Sequence, residues 1–168
     1  MERRRADRRV ASGPTQGGPV VLCCHRASLS RVARMGGAAF HLSPPKTSFL
    51  RRTGWREFRS VLAGLRAQCP TAMPVVVRTS RLPDTILGQC IRRPHRFVVR
   101  LNDRMGQEQA VECLLHEWAH ALAWNYTLDR LSKTPGVDPA EFDRACHDEA
   151  WGCGYSRVWR AYLTFSSG

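Results

Sequence analysis

The stretch that most constrains this chain is His116-Glu117-Trp118-Ala119-His120. It sits in a strongly apolar segment, 110–124, and no Pro or Gly interrupts the chain from Gln107 to Trp124. Ala, Leu, Glu and Gln favour helix, so the spacing predicts a helix over about 107–125. Residues four apart share one face of a helix, about 6 Å apart along its axis. His116 and His120 can therefore direct two imidazoles at one metal ion. Glu117 borders the same face, where it can take a proton from a metal-activated water without being a ligand. Two histidines on one helix face can also be partly buried core residues. The motif's placement on a helix, as its chemistry requires, favours the metal.

A four-coordinate catalytic zinc takes three protein ligands and leaves one position open. The candidates for the third ligand fall in His147-Asp148-Glu149-Ala150-Trp151. Ahead of them, Asp138-Pro139-Ala140-Glu141 is a helix start, with Asp as N-cap, Pro first and Glu third. The predicted helix carries Phe142, Ala145, Ala150 and Trp151 and extends toward Tyr162. Gly152 and Gly154 either weaken it or admit a second backbone closely. His147 is favoured over Glu149 and Asp148. Asp143, one turn earlier, can accept a hydrogen bond from its far ring nitrogen. Trp151, one turn later, would set an apolar ring beside it. Cys113 lies three residues before His116 and reads as packing rather than as a ligand.

The remaining elements follow from periodicity. Trp55, Phe58, Val61, Leu62 and Leu65 recur at helical spacing, which predicts an amphipathic helix over 55–68, ended by Pro70 and Pro74. Short β-branched runs at 74–78, 85–91 and 96–102, separated by turns, predict three strands. Segment 126–137 reads as a loop linking the ligand-bearing helices and forming a wall of the site. Residues 1–48 differ in kind, with an Arg run, then Gly and Pro, then Pro44-Pro45. They read as a disordered basic tail ahead of a single domain, 49–168. Val20 to Cys24 is too short for the apolar region of a signal peptide, and Met35 is an alternative start. The fold expected is α+β, with a small, mostly antiparallel three-stranded sheet packed against an N-terminal helix and two ligand-bearing helices.

Order and motif together resemble the SprT-like, or Spartan-type, zinc metallopeptidase domain, over roughly 55–163. The features that carry the resemblance are the leading amphipathic helix, the short sheet, His116-Glu-Trp-Ala-His120, and His147 with an aromatic, Trp151, four residues on. The resemblance implies a zincin-like domain in which Zn2+ is held by His116, His120 and His147, with Glu117 as general base. Two departures stand out. Asp148 occupies a place where the family often has Gly, and no Cys-rich ribbon follows within the chain, so a minimal catalytic domain is expected.

The expected activity is peptide-bond hydrolysis on a protein or peptide substrate. A formal net charge of +12 adds DNA-associated proteins as a substrate class. The rival reading is a non-enzymatic, zinc-stabilised nucleic-acid-binding or interaction module, whose metal would have a fourth protein ligand such as Cys113 or Asp148. Seven Cys, an odd number without a C-x-x-C pair, argue against a disulfide framework and favour reduced thiols in the cytoplasm. No apolar run reaches the length of a membrane span.

Overall fold

The structure, a computed structural model, describes residues 20–25 and 56–166, the first of these as backbone. Chain order is β1 (Val20–His25), α1 (Arg56–Gln68), β2 (Val75–Ser80), β3 (Ile86–Arg93) and β4 (Arg96–Asn102). There follow α2 (Gln107–Ala123), α3 (Tyr126–Leu131), α4 (Pro139–Cys146) and α5 (Glu149–Ser166). The class is α+β, as expected from the sequence. No helix among the described residues is long and apolar enough to cross a membrane.

The sheet departs from the sequence expectation in two ways. It has four strands in the order β1-β3-β4-β2 rather than three. Its fourth strand comes from Val20–His25, inside the segment read as a disordered tail, and pairs antiparallel with β3. The expected start at Met35, the expected residue Trp55 in α1, and the rest of 1–55 lie outside the described residues. The pairing is mostly antiparallel, as expected, in β1–β3 and β3–β4, whereas β2–β4 is parallel, Val75 opposite Phe97. The connection from β2 to β3 must therefore cross the end of β4. Asn102, the last residue of β4, is buried there, and its side-chain amide donates to the carbonyls of Leu82, Pro83 and Ile86 at 3.3, 3.3 and 2.9 Å. Carbonyls buried in a crossing loop need such a donor.

Helix α2 is the centre of the molecule. From Ala110 to Ala121 every residue except Glu112 is buried, so the helix has no solvent face along most of its length. An all-round apolar helix belongs in a core. On one side it meets the sheet through Cys113 and Glu117. A Cβ at Gly88 of β3 would stand 2.9 Å from Glu117 Oε1 and would run into Cys113 Sγ. On the other side lie α1 and α5. Trp118 Nε1 donates to the Cys69 carbonyl beyond α1 at 2.9 Å. A Cβ at Gly154 would sit 3.3 Å from the Ala119 carbonyl, so this glycine lets α5 pass close to α2. Gly152 has open space around it.

Segment 126–137 is not wholly a loop. Asn125 caps a short helix, α3, its Oδ1 accepting from Leu128 N at 3.0 Å, and Leu128 is buried against the core.

Candidate metal centre

Helix α2 delivers two imidazoles from its buried interior. His116 is 2% exposed and His120 is 1% exposed, and their Nε2 atoms stand 3.1 Å apart. The third comes from the C-cap of α4. Asp138 starts that helix by accepting from Ala140 N at 3.0 Å, with Pro139 in its first turn, as the sequence predicts. At its other end His147 leaves helical geometry, and its Nε2 reaches to 3.4 Å from His116 Nε2. Potential ligand atoms of the three residues all lie within 4.8 Å of one another. Three imidazoles converging in this way could hold one metal ion.

Burial keeps the two rings on α2 neutral. Burial, followed by the charge of His147 nearby, pushes His116 down to about 3. Burial chiefly, and then the other two histidines, hold His120 well below the usual histidine range, with the Cys146 backbone carbonyl acting weakly the other way. Neutral imidazole is the form that binds metal. The outer nitrogen of His147 faces Asp143, with Nδ1 3.1 Å from the Asp143 carbonyl oxygen and 3.4 Å from Oδ1. This is the orienting contact expected from the four-residue spacing.

The other expected participants are sorted by position. Glu117 is wholly buried and rests against β3 at Gly88. It lies near enough to Cys90 that its charge helps raise that thiol, though burial raises it more. Glu149 is exposed at the start of α5 and is outside the cluster. Cys113 points at β3 and Asp148 is engaged elsewhere. Asp148 Oδ1 accepts from Trp151 N at 3.1 Å, which makes it the cap of α5. The predicted single helix through 138–162 is therefore two helices broken at His147 and Asp148. The break exists because Asp148 takes up a backbone N–H that would otherwise be orphaned at the start of α5.

Sequence reasoning placed Trp151 one turn from His147 on the same helix. It is on the next helix, yet its ring still packs on the centre. Its centroid lies 5.0 Å from those of His116 and His147 and 5.7 Å from that of His120. Tyr155 stacks on Trp151 at 5.0 Å and 11°, and its centroid is 6.3 Å from that of His116. Tyr126, the other tyrosine near the motif in sequence, is 82% exposed.

No protein-family model, curated protein or solved structure matches this chain.

Proposed function

We propose that this chain is a zincin-like, SprT-type metallopeptidase that holds Zn2+ on His116, His120 and His147. The observation that carries the reading is the convergence of the three Nε2 atoms. The two spacings from His116 are 3.1 and 3.4 Å and all three ligand atoms lie within 4.8 Å of one another, against about 3.3–3.4 Å between tetrahedral donors at zinc distances of about 2.0–2.1 Å. Among the described residues no Cys, Asp or Glu joins the three histidines. A set of three protein ligands is that of a catalytic rather than a structural zinc. Cys113 and Asp148, which the non-enzymatic reading needs as a fourth ligand, are committed to packing and to capping.

Bound zinc would supply Lewis acidity toward a scissile carbonyl and toward water. The protein supplies the rest. Glu117 follows a ligand on α2 and takes a proton from the attacking water, later giving it to the leaving amine. We assign stabilisation of the developing oxyanion to Tyr155, whose ring lies near His116, rather than to the exposed Tyr126. An extended substrate can pair with a free sheet edge. Strand β4 is interior, between β3 and β2. The edge strands are β1 and β2. The charge of +12 supports substrates associated with nucleic acid.

The test is Glu117→Gln on zinc-loaded protein, assayed on an unfolded protein substrate. The variant should keep its zinc and lose about 10²–10⁴-fold in cleavage rate, the range of general base catalysis. Cleavage at the wild-type rate by a zinc-loaded variant would remove Glu117 from the mechanism.

A further inference from the structure

Trp151 is held more firmly than an ordinary first-turn helix residue. Its backbone N–H is tied to Asp148, the residue that directly follows His147. Its ring lies against all three histidines on one side of the contact network and is stacked by Tyr155 on another. Within this packing, the indole Nε1 is shielded from solvent and has no hydrogen-bond partner among the described residues. A buried indole N–H normally finds an acceptor, and leaving it without one is costly. The imidazoles around it turn their Nε2 atoms toward one another, and the stacked Tyr155 ring adds a π-face rather than a lone pair. With the ring packed against all three histidines, an oxygen atom on a metal held by them is a candidate for the missing acceptor.

We propose that Trp151 is a ligand-orienting residue: its indole N–H donates a hydrogen bond to the oxygen ligand of the metal held by His116, His120 and His147. That ligand is water in the resting protein and the carbonyl oxygen of a bound peptide in the complex. The inference rests on the metallopeptidase reading for the metal, but not on Glu117 or on turnover. It also accounts for the aromatic being fixed to the third histidine through Asp148. The cap sets the indole one turn into α5, at a constant position relative to His147.

The experiment uses zinc-loaded full chain and acetohydroxamate, a small oxygen-donor ligand for zinc. In protein labelled with ¹⁵N at tryptophan, adding acetohydroxamate should move one indole N–H resonance downfield, and Trp151→Phe should lack that resonance. Trp151→Phe keeps an aromatic ring and loses only the donor. It should bind zinc with unchanged affinity and acetohydroxamate about tenfold more weakly, as expected for the loss of one hydrogen bond. Equal acetohydroxamate affinity in the two proteins would overturn the inference, and so would a parallel loss of zinc affinity, which marks a structural role. If Trp151→Phe does not fold, the wild-type spectrum decides, because indole resonances that are all the same in the zinc-free protein and in the zinc-loaded protein with acetohydroxamate contradict the hydrogen bond. A wild type that takes up no zinc overturns the metallopeptidase reading itself, and this inference with it.

Discussion

His116 and Glu117 are neighbours in the chain, and burial acts on each to a different end. For His116 it removes the charge, leaving a lone pair for a metal. For Glu117 it sets a carboxyl against β3 at Gly88, the one position of that strand without a side chain. The histidines make the metal-free protein sensitive to acid, and the sign follows from linkage. The folded pKa of His116, about 3, lies below the ordinary value of about 6.5, so between the two the unfolded chain binds more protons than the folded one. His120 is displaced in the same direction. Stability of the metal-free chain should therefore be complete above pH ~6.5 and fall steadily as pH drops toward ~3. Denaturant midpoints measured across that window check it, and midpoints independent of pH would mean that the histidines are solvated. The pair was legible in sequence because a spacing of four has one meaning on a helix. The full burial of α2 was less legible, since polar residues on a helix face do not by themselves show that the face is enclosed.

At the scale of elements, the decisive feature is the break between α4 and α5. The sequence showed the start of α4 plainly in Asp138 and Pro139, and it showed the aromatic after His147. It hid the break, because Asp148 was weighed as a ligand and not as a second N-cap. The signal was there in an Asp three residues ahead of the N–H it caps. The break turns His147 out of helical geometry and toward α2. Asp148→Ala should accordingly cost about 1 kcal/mol of stability, the usual value of an N-cap, and weaken zinc binding by loosening His147. Asp148→Asn, which can still cap, should restore both. Calorimetry of the three proteins with a zinc titration separates the cases, since a ligand role for Asp148 would leave the Asn variant as deficient as the Ala variant. Strand pairing was the other gap. Three short runs close in sequence suggest consecutive hairpins, whereas the parallel pairing of β2 with β4 depends on a crossing loop fixed by Asn102. The contribution of Val20–His25 to the sheet was obscured by its basic, Gly- and Pro-rich flanks.

Across the whole molecule, two properties sit side by side: a cluster of three histidines that could hold a metal ion and a net charge of +12. The charge was legible from composition, and its bearing on function comes through long-range attraction to polyanions. Duplex DNA should bind with an affinity that falls by orders of magnitude between about 50 and 200 mM salt, as counterion release requires. Fluorescence anisotropy at several salt concentrations measures this, and an affinity that does not respond to salt would take nucleic acid out of the account. The metal centre matters more, because it ties the core helix α2 to the junction of α4 and α5. Metal content by elemental analysis of purified wild type, His147→Ala and Glu149→Ala tests it most directly. The account predicts near one zinc per chain in wild type and in Glu149→Ala, and loss of zinc in His147→Ala. Zinc lost from Glu149→Ala and kept in His147→Ala, or a wild type that stays metal-free after supplementation, would contradict it.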